Sequence, residues 1–329
     1  MDRAERLCEL LAACFTDRRN RRFVEHDLAV MLRQRILGIA LGYEDINDHD
    51  SLRLDPLLEA MRGRADVLGE DRHLPHDKGK PLAGKSTLNR LELGAHGTNL
   101  RTKKIAAHTD KIETLLLERG AAAIPRQSKV IILDFDATDD PVYGRQERRF
   151  FYGYYDAHCY LPLYCFCGDI PLWAQGEAAF ADGQALYEGV YCACGDMENR
   201  IKEQQMDMFA DRTSTAHLKS NQLRLWFSIF AYLLMRQVRQ VRQVRQVRQV
   251  RQVRQVRQVR QVRQVRQVRQ VALAGTRLAK ASVGTIRLQL MKIAAQVTVS
   301  VRRVHVRLCS ACPMKDVFAT AHGRLRAQA

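Results

Sequence analysis

Four aspartates crowd into seven residues of this 329-residue chain, at Asp134, Asp136, Asp139 and Asp140. They follow directly on Val130-Ile131-Ile132-Leu133, an unbroken apolar run that predicts a buried strand. A core strand that delivers carboxylates at its end suits metal-dependent phosphoryl chemistry, because hard oxygen ligands on a rigid sheet edge can fix Mg²⁺. The same acids would also serve to cap a strand and form a solvated turn. A second chemical segment spans 187–210. On a helix, Tyr191, Cys194, Glu198, Lys202 and Gln205 fall on one face and set an acid beside an aromatic and a cation. That face suits a metal-binding glutamate next to groups that hold phosphates, or else a solvated polar surface.

Strand-like runs at 150–155 and 160–167 follow the acids, separated by turn material around Asp139-Asp140-Pro141, Gly144 and Asp156. They predict an antiparallel three-strand meander that begins with the acid-bearing strand. Upstream, helical spacing recurs in Leu7, Leu10, Leu11 and Cys14, and again in Leu28, Met31, Leu32 and Ile36. Ser86 or Thr87 is placed to cap a helix through Leu88 and Leu91. A further helix is expected over 103–119, with Gly120 as its stop. Downstream, 221–235 is a strongly apolar helix suited to pack beside the glutamate helix. The tail from 272 predicts a helix, then a strand through Val297, Val299, Val301, Val304 and Val306 with basic residues able to face DNA, then a short basic helix over 316–329.

Charge points to an anionic partner, at +17 net, although twelve arginines belong to one tandem repeat and the rest of the chain carries only +5. Arg236 to Val271 is Arg-Gln-Val repeated twelve times without error. A three-residue step turns an α-helix by about 300°, so the valines spiral and form no apolar face. Period three gives no face on a strand either, which predicts a fraying helix or disorder able to bind polyanions non-specifically. The opening residues Asp2, Arg3, Glu5 and Arg6 predict no secretory signal, and the longest apolar run is too short for a bilayer. Nine scattered cysteines suit free thiols in a reducing cytoplasm. Cys165/Cys167, Cys192/Cys194 and Cys309/Cys312 lack the paired spacing of a structural zinc site. Residues 79–86 match a phosphate loop formally, but the polar, proline-broken residues before them supply no strand to aim it.

The stretches 134–147 (DFDATDDPVYGRQE), 150–169 (FFYGYYDAHCYLPLYCFCGD), 191–214 and 221–234 resemble the catalytic segments of bacterial insertion-sequence DDE transposases, specifically the thirteen-eighty family; 36–56 and 82–92 continue the likeness. The resemblance implies an α/β fold with an RNase H-like core. It also implies two Mg²⁺ (or Mn²⁺) ions, double-stranded DNA partners (terminal inverted repeats and target), a homodimer on DNA, and a location at the bacterial nucleoid without a membrane. It assigns Asp136 and Glu198 as catalytic metal ligands and places Tyr191, Arg200 and Lys202 near DNA. Cys194 stands where relatives carry an arginine, and a thiol cannot make that forked phosphate contact. The chain reaches the glutamate helix too soon, as if cut near 170–186, and neither Asp169 nor Asp182 has the context of the family's second aspartate. Expected organisation is therefore 1–125 helical and end-binding, 126–235 a truncated core, 236–271 the repeat, and 272–329 a C-terminal helix and strand. The function implied is that of a transposase defective for want of an aspartate. The alternatives are a non-catalytic DNA-binding remnant or a phosphate-loop nucleotide-binding protein.

Overall fold

A computed structural model of the chain describes residues 6–62, 68–93, 104–128, 130–153, 156–176, 195–239, 272–299, 304–309 and 311–326. The architecture is mixed helix and sheet, with small antiparallel sheets. Its organising feature is a ribbon. β3 (Asp134–Ala137) pairs with β7 (Leu163–Cys167), and β4 (Asp140–Pro141) pairs with β6 (Ala157–Tyr160). Thr138 donates its N–H to the Pro162 carbonyl (3.1 Å) and Val142 to that of His158 (2.9 Å), so one register runs unbroken from Asp134 to Val142. On the far side of the central strand, β5 (Phe150–Tyr152) pairs with β6 and β8 (Ile170–Gln175) pairs with β7. The strand that carries the acids is thus an edge strand among the described residues.

Strand placement differs from the sequence expectation, and among the described residues no three-strand meander begins at the acids: β3 pairs with β7 rather than with the next strand, and the expected turn residues Asp140-Pro141 form β4. Val130–Leu133 lies outside any strand and is 50–75% exposed. The run expected at 160–167 is a strand interrupted at Leu161-Pro162, and 170–175, expected to be junction material, is a well-packed strand with Ile170, Leu172 and Ala174 buried. The C-terminal strand is two strands: β9 (Ala295–Val299) and β10 (Val304–Leu308) pair antiparallel, and the shift at Arg302-Arg303 falls at their connection, outside the described residues.

Helices pack around this ribbon. α1 (Leu7–Ala12), α2 (Leu28–Leu41), α3 (His49–Leu52), α4 (Pro56–Arg62) and α5 (Lys85–Leu93) form the N-terminal part. A two-stranded pair, β1 (Phe15–Asp17) with β2 (Ile105–Ala107), adds an element that helical periodicity had hidden. α5 begins at Lys85, so Ser86 and Thr87 are helical residues rather than caps. α6 (Thr109–Ala123) continues through Gly120, which is no stop: a Cβ there would lie 2.6 Å from the Pro171 carbonyl oxygen. The missing side chain lets the helix lie directly on β8.

α7 (Gly195–Lys202) runs into a π-helical turn, Glu203–Asp207, and α8 (Leu218–Arg239) backs the sheet. Short α9 (Val283–Ile286) and α10 (Lys315–Arg326) close the chain. One hydrophobic cluster runs from Leu7 through Phe166 and Phe230 to Ala321, joining α1, α2, α5, α6, β7, α7, α8, α9 and α10 in one core. The first turn of the repeat shares it too, contrary to expectation. Val238 is 2% exposed, and Arg236 and Arg239 are buried. No helix among the described residues is long and apolar enough to cross a membrane.

Candidate metal and DNA site

β7 is the floor of the site. Tyr164, Cys165 and Phe166 are buried, and the Phe166 ring meets Tyr232 of α8 edge-on at 6.3 Å. Trp226 Nε1 and Gln222 Nε2 both donate to the Ala174 carbonyl (3.1 Å), tying β8 to the same helix. On this floor Asp136 pairs with Tyr164 across the ladder and is half-buried. Burial raises the Asp136 carboxyl above its ordinary value, a backbone N–H bond from Ala137 opposes the rise, and the charge of Glu198 adds to it. The fold therefore brings Asp136 and Glu198 within electrostatic reach of each other, from residues 62 positions apart.

Glu198 is exposed on α7, where Lys202 one turn later donates to it at 2.7 Å and holds its carboxylate below the usual range. The position of α7 is set by three contacts that spacing alone does not reveal. Gln205, in the π-helical turn, donates to Thr138 Oγ1 (3.0 Å) and to the Asp139 carbonyl (3.1 Å), clamping the helix to the acid-bearing ribbon. Glu203 accepts from Arg239 Nη1 (2.5 and 2.6 Å) and Tyr232 Oη (3.4 Å). Ser228 Oγ donates to the Met208 carbonyl at 2.9 Å. A π-helical turn often marks a functional site, because it re-aims side chains on either side of it.

Arg200 faces Glu203 at 3.3 Å and belongs to this internal network, while Lys202 is 56% exposed. Tyr191, Cys194 and Asp182 lie outside the described residues. Asp169 pairs with Arg236 at 2.8 Å and so serves the α8 anchor. Asp140 is 1% exposed and takes a bond from Thr213 Oγ1 at 2.8 Å. Burial pushes its carboxyl up to about 8, against the Thr213 bond and with the charges of Asp211 and Asp139. A carboxyl that is neutral at pH 7 is a poor metal ligand. Of the acid burst, Asp136 is the one whose carboxyl is shifted by the charge of Glu198.

Asp136 and Glu198 are hard oxygen donors of the kind Mg²⁺ or Mn²⁺ takes, on two braced elements, and Lys202 occupies one oxygen of Glu198. A second ion would need another carboxylate, and among the described residues no group of three or more His, Cys, Asp or Glu could hold a metal. The phosphate-loop match fails on geometry. A 3₁₀ turn, Pro75–Asp77, precedes it instead of a strand. Asp50 accepts from the Lys85 N–H (3.1 Å) and pairs with Lys85 Nζ (3.2 Å), filling the place a phosphate would need.

The sequence pattern described as Transposase DDE domain group 1 matches residues 1–175, 178–260 and 263–329. The chain belongs to that family, whose members use divalent metals and act on DNA. No significant match is found among curated proteins or among solved structures.

Proposed function

We propose that this chain is an insertion-sequence transposase of the thirteen-eighty type, with an RNase H-like core that keeps two of three catalytic carboxylates. The observation that carries the reading is the convergence of Asp136 and Glu198, on a strand and a helix that Gln205 locks together. In this reading Asp136 and Glu198 hold the metal, and Lys202 and Tyr191 lie along the DNA end. A bound Mg²⁺ would lower the pKa of a coordinated water and offset charge on the scissile phosphate. The chain's own contribution is positional. The buried floor of Tyr164 and Phe166 fixes Asp136, and the Glu203–Arg239 pair fixes the helix that presents Glu198. Lys202, released from Glu198, can pair with a phosphate oxygen.

Asp182 is the one aspartate between 170 and 186; it lies seven residues beyond the end of β8, outside the described residues, and does not match the family's second aspartate in sequence context. Loss of one carboxylate from such an electrostatic clamp costs orders of magnitude in rate. We therefore assign this chain the role of an end-binding transposase that does not transpose, acting as a homodimer on terminal inverted repeats. The test is Mg²⁺- or Mn²⁺-dependent nicking of DNA that carries the gene's own flanking ends, with Asp136→Ala as control. Specific binding without nicking is the expected result. Nicking that disappears in Asp136→Ala would overturn the defect and show that another acid completes the site. Absence of any DNA binding would overturn the functional reading altogether.

A further inference from the structure

Between Asp211 and Asp316 the chain contains no acidic residue: 104 consecutive positions hold 23 lysines and arginines. Most cations in this stretch whose placement is described have internal work. Arg224 pairs with Glu92, Arg236 with Asp169 and Arg239 with Glu203; Arg277 donates to the Pro313 carbonyl, Arg287 to that of Ala40, and Lys292 lies over the Tyr43 ring. The β9–β10 ribbon is different.

Its register sets Val304 opposite Val299, His305 opposite Thr298, Val306 opposite Val297, Arg307 opposite Gln296 and Leu308 opposite Ala295. Directly opposed residues share a face, so every apolar side chain falls on one side. Gln296, Thr298, His305 and Arg307 make up the other side. All four are exposed, and none of their side chains bonds or pairs with another described residue. A face of four exposed hydrogen-bonding side chains, in a stretch of sequence without acidic residues, is complementary to a polyanion with readable edges.

We propose that the polar face of the β9–β10 ribbon lies in the major groove of double-stranded DNA and reads base edges there. A two-stranded ribbon fits a groove about 12 Å wide. Arg307 and Gln296 stand side by side across the ladder, as Arg and Gln must to bond guanine O6/N7 and adenine N6/N7 of neighbouring pairs. His305 and Thr298 extend the contact by one further register step. Duplex DNA is favoured over single strands because the face has no Phe, Tyr or Trp platform on which bases could stack. It is favoured over duplex RNA because the A-form major groove is too narrow to admit the ribbon.

This proposal rests on the DNA-end-binding reading, and its test separates the two. Fluorescence anisotropy of the full chain is measured on two 30-base-pair duplexes, one carrying the flanking ends and one of random sequence. Three variants are compared: Gln296→Ala with Arg307→Ala, Arg307→Lys alone, and Lys280→Ala as an exposed cation off the ribbon. The alanine pair is expected to lose about tenfold or more on the end duplex. Arg307→Lys keeps the charge but not the fork, so it narrows the preference for the end duplex while leaving random-duplex binding within about threefold. Lys280→Ala stays within about threefold on both. The proposal is overturned if the alanine pair binds like wild type, or if Lys280→Ala loses as much and thereby reduces the effect to bulk charge. It is equally overturned if the loss appears only on single-stranded DNA or RNA of the same sequence. A wild-type chain that binds neither duplex removes the end-binding reading as well.

Discussion

Asp140→Asn is the substitution whose outcome the structure fixes most tightly. The Asp140 side chain is sealed between β4 and the Asp211–Thr213 loop, with Oδ2 bonded to Thr213 and Oδ1 without a partner. Its carboxyl titrates near 8 in the folded chain, against an ordinary value of 3.8. The folded state therefore keeps a proton that the unfolded state has lost. Stability from this group is complete below the unfolded value, falls by about 1.4 kcal/mol per pH unit between the two values, and is fully lost above the folded one. Asparagine retains an oxygen for Thr213 and never ionises. The stability of Asp140→Asn relative to wild type should thus rise by about 4 kcal/mol from pH 5 to pH 8. Urea denaturation of both proteins at those two pH values measures the difference, in which all other titrations common to the two chains cancel. Parallel profiles, with the difference changing by less than about 1 kcal/mol, would refute the buried, neutral acid. They would also reopen Asp140 as a charged neighbour of the Asp136 site.

Two further perturbations probe how the site's scaffold is held. Glu92 is buried between Arg35 Nε (2.6 Å) and Arg224 Nε (3.0 Å), joining the N-terminal helices to α8; Glu92→Gln leaves two buried guanidinium groups short of a counter-charge and should cost about 3–5 kcal/mol in chemical denaturation. Gly120→Ala adds a methyl that would lie 2.6 Å from the Pro171 oxygen and 2.7 Å from Leu172 Cδ2. It should lower the thermal midpoint by an amount equivalent to about 1–3 kcal/mol, even though alanine favours a helix by about 1 kcal/mol.

What the sequence made legible was type and approximate place: acids at a strand, a glutamate on a helix, an apolar helix behind them. What it hid was register. Val130–Leu133 has the composition of a core strand, and only its partner shows why it is not one. In the ribbon's register those residues would face 167–170, but there the partner chain turns back at Gly168, with φ of 61°, to begin β8. An apolar run without a neighbour to bond stays outside the sheet. Gln205 was legible as a member of the Glu198 face, yet its bonds to Thr138 and Asp139 depend on a π-helical turn that no periodicity signals. Buried Asp140 was legible only as one acid among four, because burial is a property of the loop at 211–213 that closes over it.

The repeat shows the same limit from the other side. Its twelve units are identical, so nothing within them distinguishes the first turn from the rest, and the valine spiral argues against burial anywhere. Arg236 and Arg239 are nevertheless core residues, because the fold supplies each with an acid, Asp169 and Glu203, and supplies Tyr232 beneath the second guanidinium at 5.5 Å. Context, not the repeat's own pattern, decides which copies are structural. Residues 240–271 join two points held in one core, Val238 at one end and Ala272 and Leu273 at the other. The repeat itself supplies two of the contacts that position the candidate site, through Arg236 and Arg239, and residues beyond it supply another, the bond from the Gly284 N–H to Asp207 in the π-helical turn at 2.9 Å.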